Sequence, residues 1–249
     1  MKKTILIVAA VVFSTAMIWR AAQGQNPMSV APTFNGGVFV TPVPGVPFSA
    51  VAVQQMTQLL SNGTSFQRKT RAVIARDFRG RIHNEAREVL PATETREPMV
   101  LSIHIYDPDT RLNTFMSTYT RVARQRALPN PPSTAPPRDW AQWKAEDTPP
   151  NPNIRLEDLG DSTIEGVNAH GYRRAMTLSA QSSGTGTPVT VVDEYWYSDE
   201  LHLNMVTKHS DPRTGDLTIT VMQLNRAEPS ADLFEVPSSY KIVDMTPPE

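Results

Sequence analysis

The last third of the chain constrains the fold most. From Val189 to Asp244 it reads VTVVDEYWYSDELHLNMVTKHSDPRTGDLTITVMQLNRAEPSADLFEVPSSYKIVD. Three runs rich in β-branched and aromatic residues are separated by Ser198-Asp199-Glu200 and by Asp211-Pro212-Arg213-Thr214-Gly215, both turn compositions. An exit segment with Pro229 and Pro237 follows. The pattern predicts an antiparallel meander. It points to a fold and not to a reaction.

The same rhythm runs through the earlier chain. Residues 25–47 carry Pro27, Pro32, Pro42, Pro44 and Pro47 and are expected to be extended with little packing. Ala, Gln and Met within Phe48 to Leu60 favour helix and the valines do not. Asn62-Gly63, the strongest short hairpin signal, decides for a strand. Ser65 to Asp77 is the return strand, Phe78-Arg79-Gly80 a turn, and Arg81 to Leu90 a third strand. Met99, Leu101, Ile103 and Ile105 alternate along a further strand, and Leu112 to Ala123 continues as another. Eight of the 22 prolines lie between Pro129 and Pro152, so residues 127–153 are expected to interrupt the sheet as an insertion. The sheet resumes at Ile154, turns at Val167-Asn168-Ala169, and runs on as a strand from Gly171 to Ala180. Ser182 to Thr187 is a flexible tip. The expectation is an all-β fold with minor α content: one antiparallel meander of about nine or ten strands, open or curled into a half-barrel.

The N-terminus reads as a targeting segment. Lys2 and Lys3 precede an uncharged, mostly apolar run of 15 residues from Ile5 to Trp19, and Ala22-Gln23-Gly24 supplies small residues before a cleavage point. A membrane span needs about 20 apolar residues. Cleavage after Gly24 is expected, and an uncleaved anchor with Trp19 and Arg20 at the membrane edge is the alternative. Either way the rest is exported, to the periplasm or beyond. The organisation is then a signal peptide over 1–24, a Pro-rich segment over 25–47, and one β domain over 48–249. Cysteine is absent, which excludes a disulfide framework, a thiol nucleophile and a lipidated cysteine. Residues 1–24 hold Lys2, Lys3 and Arg20 and no acid, which leaves 21 cations against 25 acids and a net charge of −4. Nothing in that balance favours nucleic acid.

Several segments carry a resemblance. PFSAVAVQQMTQLLSNGTSFQRKTRAVIARDFRGRIHNEAREV (residues 47–89) resembles the opening of a family of uncharacterised exported bacterial proteins. Leu159-Gly160, Ile164-Glu165-Gly166-Val167 and Gly171-Tyr172-Arg173 match its second block. EYWYSDEL, HSDPRTGDLT and RAEPSADLFEVPSSY match its third. The tail is also distantly similar to the lipoprotein-carrier (LolA-like) fold. That resemblance implies an open antiparallel half-barrel able to hold an acyl chain or a peptide on its concave face. A fold alone does not fix a function.

The search for chemistry returns little. No pair among His83, His104, His170, His202 and His209 has a metal-ligand spacing, and each is expected on a solvated strand position. Gly-x-Ser-x-Gly does not occur. Asp193 and Glu194 are adjacent on a strand and face opposite ways, so they form no dyad. The glycines of Ser182 to Thr187 have no following helix and make no phosphate loop. No cofactor, metal or catalytic residue is assigned. Trp140 and Trp143, three apart in the insertion, and Trp196, on the face opposite Tyr195 and Tyr197, are candidates for a ligand groove or its cover. Arg68, Lys69 and Arg71 are candidates for a basic contact strip, against the plainer role of guarding a sheet edge. Three readings stay open: a non-enzymatic envelope protein binding a lipid or other apolar ligand, a module engaging an envelope protein, and a hydrolase with a non-local site. Membrane contact is expected only through an uncleaved N-terminal segment.

Overall fold

Alternation of small and branched residues builds the centre of the sheet. In the computed structural model, which describes residues 38–60, 62–129 and 151–247, Phe48–Leu59 forms β1 and Ser65–Arg76 forms β2, joined through Asn62-Gly63. The Asn62 carboxamide oxygen accepts from the Thr64 N–H, and Gly63 takes the left-handed conformation that the turn requires. The remaining strands are β3 (Ile82–Arg87), β4 (Leu90–Pro91), β5 (Val100–Asp107), β6 (Leu112–Ser117), β7 (Val122–Ala127), β8 (Ile154–Ile164), β9 (Val167–Leu178), β10 (Val189–Ser198), β11 (Leu203–Asp211), β12 (Gly215–Asn225) and β13 (Lys241–Asp244). A single helical turn, α1 (Ala180–Ser183), links β9 to β10, and a 3-10 turn spans Ala231–Phe234.

All thirteen strands belong to one sheet in the order β13-β7-β6-β5-β3-β2-β1-β12-β11-β10-β9-β8, with β4 paired to β2. Every pairing is antiparallel except that of β13 with β7. The sheet is open: among the described residues, β8 and β13 each have one neighbour. It consists of two meanders joined through β1 and β12.

The buried face changes side along the sheet. Near the centre, Phe48, Ala50 and Ala52 of β1, Ile219 and Val221 of β12 and Tyr195 of β10 are buried on one face. Toward β7 the opposite face is buried instead. There Ala75, Ile105, Met116 and Ala123 pack under Phe234, with Leu233, Val236 and Tyr240 around them. The exit segment therefore crosses β3 to β7 before its end pairs with β7. At the changeover, Ile74 and Ala75 are both fully buried, one on each face of β2. Arg76 is also fully buried and donates to the carbonyls of Thr41, Val46 and Leu201. Three short charge-assisted bonds are what make a buried guanidinium tolerable.

Several expectations need correction. Arg81 to Leu90 is two strands, because β3 leaves β2 for β5 and β4 returns to β2 at Lys69. Leu112 to Ala123 is also two strands. They are joined by a turn at Thr118–Arg121 in which Arg121 is left-handed (φ 53°). The β8–β9 turn is Glu165-Gly166 rather than Val167–Ala169, with both residues left-handed as a two-residue hairpin loop demands. The strand count is thirteen rather than nine or ten. The Pro-rich segment packs well from Val38 onward, where Val38, Val40 and Thr41 are buried. The N-terminal segment expected to direct export and most of the 127–153 insertion, with Trp140 and Trp143, lie outside the described residues.

Candidate functional site: a groove on the open face

The face of β1 opposite its buried alanines carries Val51, Val53 and Gln55. Cross-strand register extends this face into rows. One row runs Gly171, Trp196, Val206, Thr220, Val53, Arg71 across six strands from β9 to β2. The next runs Glu157, Arg173, Glu194, Lys208, Thr218, Gln55, Lys69 from β8 to β2. The first is mostly apolar. The second is an alternating ion ladder at its β8 end and polar toward β2.

A groove of about 300 Å³ lies at the β2 end of these rows. Val51, Val53 and Met222 form its floor, Lys69 and Arg71 one rim, and the loop from Glu94 to Pro98 its wall. Ion pairs hold that wall in place. Glu97 accepts from Arg87 at 2.5 Å and lies 3.5 Å from Arg71, and both terminal guanidinium nitrogens of Arg96 reach Glu88 at 2.7 Å. Arg87 in turn donates to Glu85, which also accepts the Val73 N–H. Burial alone would raise the Glu85 pKa, but bonding to His83, Arg87 and the Val73 N–H holds it at about 2. The wall is thus anchored to the sheet through a chain of ion pairs. Among the described residues, the Lys69 ammonium has no carboxylate within ion-pair distance.

At the other end of the rows Glu194 gathers three donors: Lys208 at 2.7 Å, Trp196 Nε1 at 2.9 Å and Arg173 at 2.9 Å. Burial opposes its charge, yet these bonds hold its pKa at about 2. Arg173 also reaches Glu157 at 3.1 Å. On the reverse face, Asp193 accepts from Arg174 at 2.8 Å and lies 2.7 Å from His209 Nδ1, so the two adjacent carboxylates do face opposite ways. Beside it the buried Tyr195 hydroxyl is held protonated, first by burial and then by the Asp193 charge. These carboxylates are occupied by cations and act as tethers. Among the described residues, no group of three potential metal ligands converges.

The sequence candidates separate. Lys69 and Arg71 line the groove. Arg68, one residue over, points to the other face, where its guanidinium lies 5.9 Å from the centre of the Phe66 ring. The basic residues that follow them are divided among partners: Arg79 with Asp109, Arg81 with Asp77, Arg87 with Glu85 and Glu97, and Arg76 in the core. Trp196 shares the open face but stands four strand spacings from Arg71, roughly 19 Å. Its indole lies against Gly171 and does not line the groove. Two histidines depart from the solvated positions expected. His83 is buried with Nδ1 2.7 Å from the Leu233 carbonyl, and His104 stacks on Phe115 at 4.4 Å. Val51, Val53, Met222 and the 94–98 wall were not singled out from sequence. The signal that could have found the floor is the run FSAVAV, where apolar residues occupy both faces of one strand.

No protein-family model and no curated protein matches the chain, so the family resemblance rests on its motifs. Among solved structures, the chain is similar to MucB in the Pseudomonas aeruginosa MucA/MucB complex, at 14% identity over 79% of this chain and 58% of that one, with a TM-score of 0.36. It therefore spans about three-fifths of that chain's length. An uncharacterised conserved protein from Thermus thermophilus aligns at 9% identity over 80% of this chain and 91% of the other, with a TM-score of 0.40. The Mycobacterium tuberculosis lipoprotein LppX aligns at 12% identity over 74% and 90%, with a TM-score of 0.26. Likeness at this level carries no residue role across.

Proposed function

We propose that this chain is an exported, non-enzymatic binding protein of the bacterial cell envelope, holding an acyl chain or another narrow apolar ligand. On this reading residues 1–24 direct export and are removed. The observation that carries the proposal is the groove itself, in which an apolar floor of Val51, Val53 and Met222 lies beside the cations Lys69 and Arg71. An apolar chain would lie on the floor, and an anionic head would meet the cations. At about 300 Å³ the groove is at the lower limit of small-molecule sites, which favours one chain over a multi-chain lipid.

Native mass spectrometry of protein purified from its own envelope fraction, followed by solvent extraction, tests this reading. The expected result is a reproducible co-purifying amphiphile, released on denaturation. Val53→Trp should fill the groove and abolish both that adduct and the binding of a fluorescent fatty acid. Val53 is only half-buried, so the melting temperature should change little. An adduct retained at wild-type occupancy in Val53→Trp would remove the groove from consideration.

A protein partner is the second reading. It is favoured by β8, an 11-residue strand whose outer edge is unpaired among the described residues. A peptide added there as a strand would protect the β8 amides from hydrogen exchange.

A further inference from the structure

The β1–β2 hairpin extends past both of its neighbours. Pairing of β1 with β12 stops at Gln58, opposite Gly215, and β4 reaches β2 only as far as Arg68, with one further bond from the Ala92 N–H to the Gln67 carbonyl. Beyond these points, Leu59 and Ser65 pair only with each other, apart from a bond from the Leu59 N–H to the Thr214 carbonyl. This projecting tip is where a soluble hairpin would ordinarily place polar residues. Here Leu59 is 42% exposed, Leu60 41% and Phe66 42%. Leu59 lies on one face of the hairpin and Phe66 on the other, so each face of the tip carries an exposed apolar side chain.

The charge on the hairpin itself is of one sign. The first acidic residue of the whole chain is Asp77, so the hairpin from Phe48 to Arg76 holds no carboxylate. Arg68 stands over the Phe66 ring, and Lys69 follows on the other face without a carboxylate partner among the described residues. Two acids lie on the strands that flank the hairpin through β12. Asp211 is bound by Arg213, and Asp216 accepts from the Ser210 hydroxyl.

We propose that the β1–β2 tip docks on an anionic lipid bilayer, with Leu59, Leu60 and Phe66 in the headgroup–acyl boundary and Arg68 and Lys69 at the phosphates. Small apolar tips bind bilayers weakly alone, and cations near an anionic surface add about 1 kcal/mol each. The combination suits reversible contact. It would also bring the Lys69 rim of the groove to the lipid surface. The inference stands whether or not the groove is occupied, since it rests on the tip alone.

The absence of cysteine makes the test direct. Leu60→Cys in the full chain is labelled with an environment-sensitive fluorophore, and Tyr119→Cys, at a 95% exposed turn, is labelled as the reference. Vesicles of phosphatidylcholine, with or without phosphatidylglycerol, are then added. Blue-shifted emission is expected at position 60 with the anionic vesicles and not at position 119. Adding Arg68→Glu should weaken the response roughly thirty-fold in apparent affinity, since one cation is lost and one anion gained. No shift at position 60, an equal shift at both positions, or an equal response to neutral vesicles would each overturn the proposal. The position 119 reference also separates tip docking from tethering by the N-terminal apolar segment.

Discussion

Glu194 shows how this protein fixes an open face without a packed layer covering it. Its carboxylate is buried, yet Lys208, Trp196 and Arg173 hold it ionised, with a pKa of about 2 against an ordinary 4.5. A depressed carboxylate pKa contributes stability that is complete above about pH 4.5 and lost as pH falls toward 2. Glu194→Gln is therefore expected to cost about 2 kcal/mol at pH 7 in urea titrations, with a smaller gap from the wild type at pH 3. The depressed Glu85 is common to both proteins and cancels in the comparison. Gly171 is the companion constraint, since a Cβ there would stand 2.8 Å from the Trp196 ring. Gly171→Ala should cost about 1–3 kcal/mol and shift the indole N–H resonance of Trp196, measured by denaturation and by NMR. Neither relation was legible in sequence. Trp196 stood out there as a possible ligand contact, but only the register of β9 against β10 reveals that the position opposite it is a glycine and that its ring is already seated.

At the scale of elements, legibility followed turn chemistry. The Asn62-Gly63 and Asp211–Gly215 turns lie where sequence places them, because their residues take left-handed or tight conformations cheaply. The turn at Thr118–Arg121 contains no Gly, Pro, Asn or Asp, and it hides inside what reads as one strand. Its left-handed Arg121 is stabilised from outside: the guanidinium lies 5.3 Å from the Tyr240 ring, and the Arg121 carbonyl accepts from the Lys241 N–H. Both contacts come from the exit segment, more than a hundred residues later. That segment is itself held by Phe234, buried on β5 to β7 with the Arg81 guanidinium 5.0 Å from its ring. Phe234→Ala should cost about 3–5 kcal/mol in thermal or urea unfolding. It should also make the chain beyond Asn225 sensitive to limited proteolysis before the rest unfolds. The groove was only half legible for a similar reason. Lys69 and Arg71 are conspicuous as charges, whereas its wall depends on Glu97 and Arg96 meeting Arg87 and Glu88, pairings set by the return of β4 to β2 and not by any sequence motif.

For the whole molecule, the two meanders share one seam, the pairing of β1 with β12 from Ser49 opposite Asn225 to Gln58 opposite Gly215. That seam joins residues separated by most of the chain, so closing it costs the most chain entropy and its ladder is expected to form late. While the polypeptide is still emerging, β1 has its hairpin partner β2 but lacks the strand that closes its other edge. A chain of this design stays loose until its C-terminal quarter is available. The same delay leaves the apolar FSAVAV edge unpaired in the interim, so the hazard of this fold falls during synthesis rather than after it.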